Sequence, residues 1–222
     1  AHLDTPTNYD GVNILSASEA DYKRQAQSFV LGDTYLIGSG TVSSFRGTLI
    51  RTIADKHTQD YFGLSDLGVK GIYLPPGYPK VSLMTVAGGF NIYNAMGVPG
   101  YTNSTGVQFS EDLSTVRGAH QLGFGANFIQ TLMNSLSTTS TPGNMTFTAI
   151  NTGLGLGDFM LGRANRFQQQ NANAYYTRQN YIGLYVQDTW KANSRLTLNG
   201  GLRWEPYWLP WEKYGHVLHY DK

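Results

Sequence analysis

The chain contains no cysteine, which excludes a disulfide framework and any thiolate-bound metal. Charge is also scarce. Asp, Glu, Lys and Arg make up 14% of the residues, against about a quarter in an average soluble domain. The formal net charge is +1 and the basic residues are scattered, so the electrostatic footprint of a nucleic-acid-binding surface is missing. No apolar run approaches the ~20 residues that a membrane-crossing helix requires, so the chain does not cross a bilayer as a helix. The opening AHLDTPTNYDG has no initiating Met, basic region or apolar core. The expectation is therefore a chain that begins within a longer protein or after processing.

What is abundant points to β-structure. The 222 residues include 15 Tyr and 26 Gly and are 41% hydrophobic, enough for one large domain or two small ones. The clearest pattern is YIGLYVQDTWKANSRLTLNGGLRWEPY, from Tyr181 to Tyr207. In its second half Leu196, Leu198, Gly200, Leu202 and Trp204 share one parity, and Thr197, Asn199, Gly201, Arg203 and Glu205 the other. In its first half Ile182, Leu184 and Val186 share a face with Trp190, while Tyr181, Gly183, Tyr185, Gln187 and Thr189 lie opposite. Ala192-Asn193-Ser194 supplies the turn. An aliphatic face backed by Arg, Glu, Asn and Thr suits a soluble sheet or a membrane barrel with a wet interior.

Two further hairpins precede this one. The first runs over about 23–53 with its turn at Gly38-Ser39-Gly40, and the second over about 105–132 with its turn at Val116-Arg117-Gly118. In the second, Val107, Phe109 and Leu113 share a parity interrupted by Glu111, and Leu122, Phe124, Ala126 and Phe128 oppose Gln121, Gly123, Gly125 and Asn127. Residues 1–22 read as an irregular N-terminal segment rich in turn residues. Between the hairpins lie two long excursions, about 54–104 and 133–174, far longer than ordinary connections and read as functional or externally displayed loops. They hold short β-like pieces at Val81–Thr85 and Asn144–Ile150 and a helix-like piece at Gly155–Leu161.

Short turns therefore all fall on one side and long connections on the other. Outer-membrane barrels are built this way, with strands of about 9–11 residues and lipid-facing apolar positions on alternate residues. Aromatic placement agrees: Trp190 lies at the short-turn end, and Tyr175, Tyr176, Trp204, Tyr207, Trp208 and Trp211 at the long-loop end. That is the arrangement of two interfacial girdles. The fold class expected is all-β, an antiparallel up-and-down transmembrane β-barrel section of about six membrane-length strands in three hairpins with long outer loops.

Three segments carry a family resemblance: VRGAHQLGFGANF from Val116 to Phe128, GLGDFMLG from Gly155 to Gly162, and YIGLYVQDTWKANSRLTLNGGLRWEP from Tyr181 to Pro206. In their order and spacing they resemble the barrel section of Oar-like TonB-dependent outer-membrane proteins, and the WEKYGHVLHYDK ending is similar to the loop that follows. Weaker likeness extends from about Gln25 to the end. The resemblance implies a barrel of about 22 strands, of which residues 23–222 would be one part. The outer-membrane lipid, the rest of the barrel, a plug domain and the TonB system would be its partners.

The expected function is part of the barrel wall of an energy-coupled transporter or receptor. The alternatives are a surface-adhesion or secretion-associated barrel and a soluble carbohydrate-binding β-sandwich. Lumen-facing candidates are Gln187, Asn199, Arg203 and Glu205. Tyr207, Trp208, Trp211 and Tyr214 form an outer aromatic rim or ligand contact, and Trp190 a periplasmic-side girdle.

Asp188 shares the parity of the aliphatics, so it sits either at headgroup level or on a bulge that turns it inward. TGLGLGD, Thr152 to Asp158, matches no phosphate-loop spacing and reads as a flexible approach to a short helical turn. His216 and His219, with Glu212 and Asp221, would make a metal pair only in a helical tail, which Pro210 and Gly215 argue against. His120 reads as a rim residue. No catalytic triad, carboxylate pair or H-E-x-x-H stands out, so neither an enzyme nor a cofactor is expected.

Overall fold

A computed structural model describes residues 1–5, 13, 21–57, 62–78, 80–92 and 100–216. In chain order the elements are β1 (His2–Thr5), β2 (Asp21–Ile37), β3 (Thr41–His57), β4 (Leu83–Val86), β5 (Asn91–Ile92), β6 (Gly100–Arg117) and β7 (His120–Ser137). They continue with β8 (Asn144–Phe147), α1 (Gly155–Met160), β9 (Arg166–Gln168), β10 (Asn173–Lys191), β11 (Thr197–Trp204) and β12 (Trp211–Glu212). The one short helix is the only one among the described residues, and no helix is long and apolar enough to cross a membrane.

One sheet has the order β1-β2-β3-β6-β7-β10-β11, with β12 also on β10, and is open among the described residues. Within the N-terminal segment expected to be irregular, His2–Thr5 pair antiparallel with Tyr22–Gln25. The three hairpins turn where the sequence places them. Gly38 and Gly118 take φ of 65° and 60°, a region where a Cβ is penalised. The third turn is closed by Asn193 N–H to the Leu196 carbonyl and by Arg195 N–H to Asn193 Oδ1.

Strand length departs from expectation. β2 and β3 have 17 residues, β6 and β7 have 18 and β10 has 19. At ~3.4 Å per residue and a tilt of ~40°, such strands rise about 45–50 Å, well beyond a ~30 Å hydrocarbon core. The polar continuations Gly100–Thr105 and Asn173–Asn180 belong to the same strands, where the ladder satisfies their backbone groups.

The chain divides into two compact units. In the unit comprising Ala26–Thr52, Ser104–Met133 and Tyr176–Lys222, alternation sorts the side chains as the sequence implies. Phe29, Leu31, Phe45, Leu49, Val107 and Phe109 gather on one face, and Phe45 stacks on Phe109 at 6.3 Å. Glu111 keeps the parity of this apolar face and accepts a 2.5 Å hydrogen bond from Ser43 Oγ. Beside it Thr41 and Thr115 hydroxyls pair at 2.7 Å.

The other unit comprises Ala1–Gln25, Ile53–Asn103 and Asn134–Tyr175, and it holds the described parts of both long excursions. They fold together. A second sheet runs β5-β4-β8-β9, its centre a parallel pairing of Leu83–Val86 with Asn144–Phe147. Met84, Val86 and Phe147 are its buried core, with Phe90 and Phe159 packed against it. Gly155 is obligatory here, since a Cβ would lie 2.3 Å from the Ala87 carbonyl oxygen.

The approach to α1, expected to be flexible, is clamped. Asp158 is fully buried, and its carboxylate accepts from Thr152 Oγ1 at 2.7 Å, Thr152 N at 2.8 Å and Asn151 N at 3.2 Å. A buried carboxylate needs such donors to remain charged.

Candidate functional site

The hydrophilic face of β10 and β11 is the candidate site. The ladder runs unbroken from Leu184↔Trp204 to Lys191↔Thr197, pairing Tyr185 with Arg203, Gln187 with Gly201 and Thr189 with Asn199. Period-2 geometry therefore sends Gln187, Asn199 and Arg203 to one face and Leu184, Val186, Leu198 and Leu202 to the other.

Past the end of β11, Glu205 returns to this face. Its carboxylate accepts from Arg203 Nε at 2.5 Å and from the Tyr181 hydroxyl, while Arg203 Nη2 reaches Tyr181 at 3.3 Å. A second polar pair stands beside this group: Tyr185 donates its hydroxyl to Asp112 Oδ1 at 2.7 Å.

Glycines make these placements possible. A Cβ at Gly125 would lie 1.9 Å from Tyr185 Cε1, and one at Gly123 would lie 3.0 Å from Gln187 Cγ. Large side chains of β10 thus lie across bare backbone on β7. Sequence reasoning placed Gly123 and Gly125 on the hydrophilic face but did not single out Tyr181, Tyr185 or Asp112. The available signal was glycine at alternate strand positions, which marks close approach by a neighbour.

Of the predicted residues, the structure joins Arg203 to Glu205 and sets Gln187 on the same face. Asn199 lies opposite Thr189, nearer the short turn. The face combines a guanidinium and a carboxylate bonded to one phenol hydroxyl, a second carboxylate bonded to another, and the amides of Gln187 and Asn199. It can hydrate a passage and present hydrogen bonds to a neighbouring surface. Among the described residues no group of three or more His, Asp or Glu is placed to hold a metal ion.

Asp188 stays on the apolar face: its partner is Gly200 in an uninterrupted register, so no bulge turns it inward. His120 Nδ1 lies 2.6 Å from Asp188 Oδ2, and the His120 ring stacks on Trp190 at 5.6 Å and 7°. Trp190, the expected girdle residue, thus forms a polar-aromatic cluster beside the short turns, where an amphipathic ring can meet both apolar surroundings and water.

The expected outer rim has a separate anchor. Trp211 and Glu212 pair with Arg178 and Thr177. The Glu212 carboxylate accepts from the backbone N–H of Tyr214, His216 and Tyr176 at 2.7, 2.8 and 2.9 Å. Burial opposes its charge, but these three donors hold its pKa below the ordinary value. Tyr214 packs edge-on against Tyr176 at 5.0 Å, while Tyr207 is 76% exposed and Trp208 44%. Glu212 is committed to backbone donors, and His219 and Asp221 lie outside the described residues.

A family model described as an outer membrane beta barrel domain matches residues 1–222. No curated protein and no solved structure matches the chain. The match places the chain in the outer membrane, so the apolar face of its sheet meets lipid and the soluble sandwich alternative falls away. An all-β antiparallel sheet sorted into apolar and hydrophilic faces, together with a match along the whole chain, establishes that the protein belongs to the outer membrane beta barrel domain family.

Proposed function

We propose that this chain forms part of the barrel wall of a TonB-dependent outer-membrane transporter or receptor that takes up a ligand with energy from the inner membrane. The observation that carries the reading is the bonded hydrophilic face: Tyr181, Arg203 and Glu205 in one group and Tyr185 with Asp112 in another. A lumen-facing wall that seats a plug needs polar groups held in place, and these satisfy one another while retaining exposure. Strands that outrun the bilayer and the segment resemblance support the same reading. It assigns no enzymatic step.

The direct test uses the full-length protein in detergent and the purified periplasmic domain of the host's TonB protein. Association of the two, abolished when the parent's N-terminal coupling segment is deleted, is expected. Absence of association refutes energy coupling. A surface-adhesion or secretion-associated barrel is the second reading, favoured by the outer sheet with its own core. It predicts lost cell attachment, with no association to TonB.

A further inference from the structure

We infer that the folded outer unit carries a binding site for a neutral saccharide, in a pocket of about 230 Å³ lined by Tyr73, Pro75, Thr141, Gln169, Gln170 and Asn171. The inference stands apart from energy-coupled uptake, because it concerns recognition by the outer unit alone.

The pocket is built where the two long excursions meet. Gln169 Nε2 donates to the Thr141 carbonyl at 3.0 Å and to the Tyr73 carbonyl, so one amide ties together three stretches of chain. The floor is the turn around Thr141. Its backbone N–H bonds to the Thr138 carbonyl at 2.9 Å, Gly143 N–H to the Ser140 carbonyl at 3.1 Å, and Ser82 Oγ to the Pro142 carbonyl at 2.7 Å. Ser140 adopts φ 60° in this turn, a conformation uncommon outside glycine and recurrent at ligand-holding sites.

Thr141 is fully buried beneath this turn and closes the floor, so the side chains left to meet a ligand are Tyr73 and the exposed Gln170 and Asn171.

The lining selects the chemistry. It contains no Lys, Arg, Asp or Glu, so it offers nothing to neutralise an anion or a cation. Amides supply donors and acceptors together, the pairing that sugar hydroxyls need because each hydroxyl both donates and accepts. Tyr73, 64% exposed, presents an aromatic ring on which the C–H face of a sugar can lie, with its own hydroxyl at the edge. The volume falls below the ~300–1,000 Å³ of sites that enclose drug-sized ligands. It therefore suits a single ring unit, the end or one residue of a longer chain.

The test is binding to the full-length protein in detergent, titrated calorimetrically with malto-, cello-, xylo- and chitohexaose. Polygalacturonate and a neutral Gly-Ser hexapeptide serve as comparisons. At least one neutral oligosaccharide is expected to bind. The double substitution Gln170→Ala/Asn171→Ala, which removes none of the bracing hydrogen bonds above, should weaken it at least tenfold. Tyr73→Ala should do the same and Tyr73→Phe much less, with heat-modifiable gel mobility unchanged in every variant.

The inference is overturned if no neutral oligosaccharide binds, if the double variant binds as well as the parent, or if only polygalacturonate or the peptide binds. Failure of TonB association with saccharide binding intact would remove the uptake reading and leave this site standing. The converse result would do the opposite.

Discussion

Substituting Arg on alternate faces of β10 and β11 tests the assignment of lipid and lumen. The position must be chosen by depth. Leu198 pairs with Trp190, the expected girdle residue, and at that level an Arg facing lipid costs only about 0–1 kcal/mol. Leu202 shares its face, is 73% exposed and pairs with Val186. It lies roughly 13 Å further along the strand at ~3.4 Å per residue, or about 10 Å deeper at a tilt of ~40°.

Between the levels of Trp190 and Trp204 an Arg costs more than at either girdle, up to the midplane value of about 2–4 kcal/mol, which lowers the folded-to-unfolded ratio by up to roughly 30- to 1,000-fold at ~1.4 kcal/mol per factor of ten. Gln187, exposed and paired with Gly201 one step away, faces the opposite side, and Gln187→Arg should cost under about 1 kcal/mol. The assay is urea unfolding of the full-length protein from lipid vesicles, read by heat-modifiable mobility. Equal losses for Leu202→Arg and Gln187→Arg, or the reverse order, would refute the facing of the wall.

Three other outcomes follow from the same structure. Gly125→Val drives a side chain into the Tyr185 ring, so it should break the Tyr185–Asp112 hydrogen bond and cost about 1–3 kcal/mol, and Tyr185→Ala should recover much of that in the same unfolding assay. Ser43→Ala strips Glu111 of its described donor on the lipid-facing side and should cost about 1–3 kcal/mol, whereas Ser43→Ala/Glu111→Leu should be near neutral; a double variant no better than the single one contradicts this. For Asp158, burial opposes the charge, but the Thr152 hydroxyl and the Asn151 and Thr152 backbone N–H groups outweigh it and hold the pKa below the ordinary value. Its stabilisation is therefore complete above about pH 5, where the unfolded carboxyl is ionised, and disappears as pH falls through the lowered value. Hydrogen-exchange protection factors at residues 151–163, taken relative to the intrinsic rate at each pH, should fall in acid, and Asp158→Asn should show lower protection at neutral pH and lose that acid dependence.

The sequence by itself determined the wall. A strand repeats every two residues, so one dimension of text suffices to sort Leu198 and Leu202 from Asn199 and Arg203, and local turn chemistry at Gly38 and Gly118 set the hairpins. The apolar parity of Asp188 was equally legible, but its answer was not: His120 reaches it from another strand, 68 residues away in the chain. The same holds for Tyr185, whose partner Asp112 and bare platform Gly125 come from two other strands.

The long excursions were least legible. Leu83–Val86 and Asn144–Phe147 are too short to show periodicity, and their parallel pairing joins segments some 60 residues apart, a contact that no local preference encodes. The flexible reading of Thr152–Asp158 failed for a related reason, because glycines that look permissive in sequence are there for close packing and for a buried carboxylate's donors. Alternation is a property of each strand alone, whereas the second sheet, its pocket and the partners of the polar residues exist only once distant strands are brought side by side.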